Sequence, residues 1–220
     1  MFLSHFAVGF ASKRLAPGAS LGPLLAAPQL LDLLWPVFLL LGLERVEIHA
    51  SANPFAALTF TSYPWSHSLV MSLIWGVLFG GSYYLVTRYW RGAWVMGVAV
   101  VSHWALDAAS HFPDVPLSPW SARLVGLGLW RSVPATLVVE LGLFAVGAWL
   151  YTGGTRARDR IGRYAWWGLL LLLLAAYLGS LMGPPPPSTS AIAWAGLIGA
   201  LVILGLAVWA DRHRTVVADR

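Results

Sequence analysis

Gly162-Arg-Tyr-Ala-Trp-Trp-Gly-Leu-Leu-Leu-Leu-Leu-Leu-Ala-Ala-Tyr-Leu-Gly-Ser-Leu-Met182 carries one charge, Arg163, near its start and then runs without another to its end. A helix of about 20 apolar residues crosses the hydrocarbon of a bilayer, so this run alone predicts a transmembrane span. Gly183-Pro-Pro-Pro-Pro-Ser-Thr-Ser190 follows it, a stiff polyproline connection, and leads into a second apolar run over 190–210. Reading back toward the N-terminus finds four more, over 133–152, 92–111, 68–87 and 21–43. The expected fold is all-α: a polytopic membrane helix bundle of about six transmembrane helices. Three parts are expected along the chain: a bundle studded with polar residues over 1–152, a fifth span with a basic inner loop over 153–182, and the Pro-rich outer linker, sixth span and basic tail over 183–220.

Composition points the same way. The 220 residues are 58% hydrophobic and 10% charged, with a mean hydropathy of +0.70, more apolar surface than one water-soluble core of that size hides. Thirteen Trp, 22 Gly and 14 Pro fit the same class, because Trp gathers at membrane interfaces and Gly and Pro are tolerated within spans. Trp90 with Trp94, and Trp120 with Trp130, read as interfacial anchors. Cys is absent, which excludes disulfides, thiolate ligands and Cys nucleophiles. Any metal here must be held by His, Asp or Glu.

The net charge of +5 comes from 14 basic residues scattered through short loops, a pattern of topology signals with no nucleic-acid partner implied. Lys13, Arg14, Arg88, Arg91, Arg156, Arg158, Arg160, Arg163, Arg212, Arg214 and Arg220 fall on one set of alternate loops, and only Arg45, Arg123 and Arg131 on the other. The positive-inside rule then places both termini in the cytoplasm, in a protein integral to the plasma (inner) membrane. The N-terminal stretch Met1-Phe-Leu-Ser-His-Phe-Ala-Val-Gly-Phe-Ala-Ser12 is apolar with its basic residues after it, the reverse of a cleaved signal peptide. Its helical rise of about 18 Å is too short to span. It reads as a half-helix dipping into the bundle or as an interfacial helix.

Ionisable side chains inside a membrane cost about 3 kcal/mol each on insertion scales, which makes them functional candidates. Asp32 lies midway along the first run, His103 and Asp107 in the third, Glu140 in the fourth, and His67 at the outer mouth of the second. Counting about 1.5 Å per residue from each end brings all of them, with His5 of the half-helix, into one middle-to-outer layer. Residues four apart share a helix face, so His103, Asp107 and His111 form a stripe of two imidazoles and one carboxylate. Such a stripe suits one face of a metal site; it also suits a buried pair that pins helix packing, and His111 beside Phe112-Pro113 suits a helix end. Gly76-x-x-x-Gly80 is a close-packing motif.

Taken in order, Ser4-His5, the Asp32 that follows Pro28, Trp65-Ser-His-Ser-Leu69 and Ser102-His103-x-x-x-Asp107 followed by Pro-rich sequence resemble the membrane-bound metal-dependent hydrolase family, YdjM-like, over roughly residues 1–120. That family shows an early His, a Leu-Pro-Asp-x-Asp, a Thr-His-Ser-Leu and a His-x-x-x-Asp in that order. The resemblance implies metal-ligand roles for His5, Asp32, His67, His103 and Asp107. The chain departs from the pattern at Pro28-Gln29-Leu30-Leu31-Asp32, where Gln29 replaces an acid and the remaining Asp is displaced by one position. A more distant likeness to zinc-dependent phospholipase C suggests phosphoester substrates.

The expectation is a divalent metal, with Zn suited to imidazole and carboxylate ligands, and hydrolysis of a phosphoester or lipid-linked bond at the outer leaflet. Asp32 and Glu140 are the candidate general bases or orienting groups. Arg123 and Arg131 are either phosphate-holding or, more simply, exposed anchors. Two other classes use similar residues: a transporter or proton relay, and an accessory subunit of a larger membrane complex that packs on a partner through its Trp-rich surface.

Overall fold

The computed structural model describes residues 1–217; residues 218–220, with Arg220 of the basic tail, lie outside it. The chain is mostly helical, 69%. Helices α1 (Leu3–Leu15), α2 (Leu21–Ala26) and α3 (Leu30–Leu40) are followed by the antiparallel hairpin β1 (Arg45–Ile48) and β2 (Leu58–Ser62). After it come the single turn α4 (Pro64–His67) and the long helices α5 (Leu69–Thr87) and α6 (Trp90–Ser110). A minimal pair, β3 (Val115–Pro116) with β4 (Leu124–Val125), precedes α7 (Val133–Gly154). The chain closes with β5 (Thr155–Ala157), α8 (Arg160–Met182), α9 (Thr189–Arg212) and β6 (Arg214–Val216), and β6 pairs back onto β5.

Four of these helices, α5, α7, α8 and α9, are long and apolar enough to cross a membrane. Each begins on a side-chain cap: Ser68, Ser132, Asp159 and Ser188 accept the backbone N–H three residues on. Their outward faces are apolar, with Val77 75% and Leu201 72% exposed, as lipid-facing side chains should be.

The expected span over 21–43 is not one helix. It breaks at residues 27–29 into α2 and α3, because Pro28 has no N–H to donate and its ring would clash with the carbonyl one turn back. The break bears on the site, since the Pro28 carbonyl is left facing α6.

The N-terminal stretch is a buried half-helix and not an interfacial one. In α1 the residues Leu3, Ser4, His5, Phe6, Ala7, Gly9, Phe10, Ser12 and Lys13 are all buried; its polar side chains Ser4, His5, Ser12 and Lys13 find hydrogen-bond partners inside the protein, so no polar face is left for headgroups. Phe10 packs on Phe144, Tyr151 and Trp166, joining α1 to α7 and α8. The expected close packing at Gly76 and Gly80 is present. A Cβ at Gly80 would stand 2.6 Å from the Ala93 carbonyl oxygen, and one at Gly76 would stand 2.8 Å from that of Gly97, so only glycine lets α5 lie this close to α6.

The connections gather at two ends. At one, Lys13 reaches Asp211 at 3.0 Å, Arg14 donates to the Leu150 carbonyl and β5 pairs with β6. At the other, Asn53 donates to the Trp130 carbonyl at 2.8 Å, and Val70 N–H donates to Leu117. The first end carries most of the basic residues.

Candidate metal centre

Helix α6 supplies the centre of the site. His103 and Asp107 are one turn apart and fully or almost fully buried, and the two oxygens of Asp107 face different neighbours. Oδ2 lies 3.0 Å from His103 Nε2 and 3.9 Å from His67 Nε2. Oδ1 lies 3.2 Å from His5 Nε2, 3.8 Å from His111 Nε2 and 2.6 Å from the amino group of Met1. Asp32, in the first turn of α3, places Oδ1 3.4 Å from His67 Nε2 and 3.8 Å from His103 Nε2. The five residues expected as ligands therefore converge from four separate segments. They form two groups sharing His103, namely His5, His103 and Asp107, and Asp32, His67 and His103, with the donor atoms of each group within 4.8 Å of one another.

Proton placement decides what these atoms can do. His103 Nδ1 lies 2.7 Å from the Pro28 carbonyl; a carbonyl only accepts, so Nδ1 carries the hydrogen and Nε2 of the neutral ring is a bare lone pair. That buried Nε2 makes no hydrogen bond, yet it faces a carboxylate oxygen at 3.0 Å. With the ring neutral, two electron-rich atoms at that distance repel unless a cation, a proton or a metal ion, lies between them. Donors at 2.0–2.2 Å around a tetrahedral ion stand about 3.3–3.6 Å apart, and the spacings here bracket that range. The residues present thus fit a divalent metal.

His67 is oriented in the same sense. Ser66 Oγ donates to Glu44 Oε2 at 2.6 Å, which uses its only hydrogen, so it accepts from His67 Nδ1 at 2.6 Å. Nε2 of His67 is left bare and turned to Asp32 and Asp107. Glu44, 2% exposed, also accepts from the backbone N–H groups of Trp65 and Ser66 at 2.9 and 2.8 Å. Burial pushes its carboxyl above the ordinary range, and the bonds from Ser66 and Trp65 pull the other way. A carboxylate reaching a ligand imidazole through one hydroxyl is the outer support that metal-binding His residues ordinarily have.

Glu140 does not join this group. Its Oε1 accepts from Phe2 N–H at 2.8 Å and its Oε2 from Ser4 N–H and Ser4 Oγ at 2.8 and 2.9 Å. Both oxygens are taken by the free N–H groups at the start of α1, so Glu140 caps α1 and fixes where His5 begins; it is not placed to act as a base. His5 in turn stacks on His103 with ring centroids 3.7 Å apart and planes 3° from parallel. Gln29 is buried with Nε2 unpartnered among the described residues.

Two supports, Glu44 and Asp114, went unread in the sequence. Glu44 lies 22 residues before Ser66 in a loop, and no spacing ties it to His67; the adjacency Ser66-His67 was the only visible sign. His111 stands at the end of α6 with Nδ1 3.1 Å from Asp114, which also accepts from Tyr63 at 3.2 Å. Burial and the neighbouring Asp114 raise the Tyr63 hydroxyl pKa, so it remains a donor. Arg123 and Arg131 are exposed, as anchors would be. Trp90, Trp94 and Trp120 are also exposed, at 60%, 59% and 74%, but Trp130 is 9% exposed and lies against His111 with centroids 3.9 Å apart. The expected interfacial role fails for Trp130, because the loop folds its ring inward over the end of α6.

No family model, curated protein or solved structure matches the chain.

Proposed function

We propose that this protein is a membrane-embedded, metal-dependent hydrolase that cleaves a phosphoester or related lipid-linked bond presented at the outer leaflet. The observation that carries the reading is the pair of bare imidazole nitrogens, His67 Nε2 and His103 Nε2, held toward the carboxylates of Asp32 and Asp107 by hydrogen bonds on their far sides. The ordered motifs shared with YdjM-like proteins support it. His5, Asp32, His67, His103 and Asp107 would hold the metal, zinc by the chemistry of the donor set. When bound, a divalent ion supplies Lewis-acid polarisation of the ester and of water.

The chain's own groups divide the remaining work by exposure. The Asp107 side chain is 3% exposed and faces imidazoles on both oxygens, so it holds and orients. The Asp32 side chain is 40% exposed, the one acid of the cluster with access to solvent or substrate. Asp32 takes a proton from the attacking water as the new O–P bond forms; the ester P–O bond breaks, and Asp32 returns the proton to the departing oxygen.

The membrane arrangement belongs to the same proposal: six crossings, α2 with α3 making the first, α1 entering as a half-helix from the cytoplasmic side, and the C-terminus on that side of the plasma membrane. Met1, expected in the cytoplasm, is instead carried into the bundle by α1, where its amino group meets Asp107. The crowding of basic residues at the end where Lys13, Arg14 and β5 meet supports this orientation. Metal analysis of the detergent-purified protein tests the function, with stoichiometric zinc as the expected result. Asp107→Asn should lose that metal and turnover while keeping the helix content. A wild-type protein without metal, or an Asp107→Asn variant that keeps its cellular role, would instead indicate a non-catalytic subunit of a membrane complex.

A further inference from the structure

A cavity of about 430 Å³ lies beside the metal centre, between the β1–β2 loop, the end of α8 and the polyproline linker. Its walls are mostly apolar, with Phe2, Phe55, Phe60, Trp130, Tyr177 and Leu181 among them. That volume falls within the roughly 300–1,000 Å³ of small-molecule sites. Three of its lining residues also touch the metal-centre cluster. Trp130 and Phe60 lie 3.9 and 5.1 Å from the His111 ring, centroid to centroid, and the Met1 amino group lies 2.6 Å from Asp107.

Two residues of this wall each carry a buried polar atom that lacks a partner. Trp130 Nε1 and Tyr177 OH are both buried and make no hydrogen bond within the described residues, in side chains 9% and 1% exposed. Buried donors are almost always satisfied, so an apolar chamber with two unpaired donors matches a ligand that is mainly hydrocarbon and carries a few acceptor oxygens. A wholly polar substrate would leave the aromatic wall without a partner. The exposed faces of α5, α7, α8 and α9 would meet acyl chains, whereas this volume is a partly open pocket that adjoins the reactive cluster.

We propose that this cavity receives the acyl chain of the substrate, an ester-linked amphiphile whose head reaches the His/Asp centre while its ester oxygens accept from Trp130 Nε1 and Tyr177 OH. The proposal rests on the hydrolase reading and names its substrate class. Chain recognition and head-group chemistry then sit on opposite sides of the His111–Trp130 contact. Ala57 and Ala52 line the chamber in the β1–β2 loop, and Ala52 is exposed at its rim.

The test is photo-crosslinking of the full chain in phosphatidylcholine nanodiscs with a lysophosphatidylglycerol whose palmitoyl chain carries a diazirine. Labelled residues are mapped by mass spectrometry, and metal content is measured on the same samples. Labelling should concentrate on Phe55, Leu181 and their neighbours and be competed by unlabelled lysolipid. It should fall at least tenfold in Ala57→Trp and in Ala52→Trp, the latter at an exposed position where the fold is not at risk. Trp130→Phe, which keeps a ring and loses the N–H, should lower it about two- to tenfold.

Labelling spread over the outer faces of α5 to α9 and unchanged by either filling variant overturns the chamber, and stoichiometric zinc in that sample leaves the hydrolase reading standing. Chamber labelling in a protein that binds no zinc keeps the lipid site and overturns the hydrolase reading.

Discussion

Removing one hydroxyl tests the metal centre without touching any of its ligands. In Ser66→Ala, His67 Nδ1 loses its only acceptor, at 2.6 Å, and Glu44 Oε2 loses its donor, while the bonds from Trp65 N–H and Ser66 N–H to Glu44 Oε1 remain to hold the loop. Losing an outer partner of a ligand His costs about 10–100-fold in metal affinity, which is about 1.4–2.7 kcal/mol. An unsatisfied buried donor costs about 1–3 kcal/mol by an independent route, so the two figures agree. Competition between the protein and a chromophoric chelator for zinc measures the change directly. The metal-free variant should also unfold at a lower temperature, because His67 Nδ1–H and Glu44 Oε2 stay buried without the hydroxyl whether or not metal is bound. Ser66→Thr keeps the hydroxyl and should restore most of the affinity. Zinc affinity in Ser66→Ala within twofold of wild type would refute the orienting chain from Glu44 to His67.

Other outcomes follow from the packing and the ends of the helices. Gly80→Val should destabilise the protein by about 1–3 kcal/mol through overpacking, since its Cβ would stand 2.6 Å from the Ala93 carbonyl oxygen; an unchanged unfolding midpoint in mixed detergent would contradict the close approach of α5 and α6. Asp159, outside the spans, is held below its ordinary value of 3.8 by the Gly162 N–H and by His213. A carboxylate with a depressed folded-state pKa contributes stability that is complete above its unfolded value and lost as pH falls through the folded one. Amide exchange over residues 155–163 should therefore stay flat from pH 7 to about 4, after correction for intrinsic rates, and rise below it, and Asp159→Asn should remove that rise. Reporters in the α5–α6 turn at Arg88 and after Arg220 should be cytoplasmic and one at Pro185 external; Arg88 and Arg220 on opposite sides would remove one of the crossings between them.

How far the site was legible can be followed residue by residue. His103 and Asp107 were readable because four-residue spacing on a helix survives whatever the helix packs against. His5, Asp32 and His67 were reachable through depth along their segments and through motif order. Glu140 shared their depth and differs only in what it meets, the open N–H groups of α1. Glu44 had no depth or spacing to mark it, and its role arises only because the loop before β1 lies against Ser66. Trp130 looked like its neighbours Trp90, Trp94 and Trp120 by composition, yet its loop carries it inward.

By itself the sequence determined the class of the fold and the long helices, because apolar length is a local property that a bilayer reads directly. It also determined which donor types are available to a metal, since Cys is absent and His and Asp recur at helical spacing. Tertiary structure alone decided that the first apolar run breaks at Pro28 and gives its carbonyl to His103, that Glu140 serves a helix end, and that Ser66 and Glu44 turn His67 inward. A buried polar group takes whichever partner folding brings within about 3 Å. Those partners are separated by 75 residues for His103 and Pro28 and by 136 for Glu140 and Ser4, distances over which no local pattern carries information.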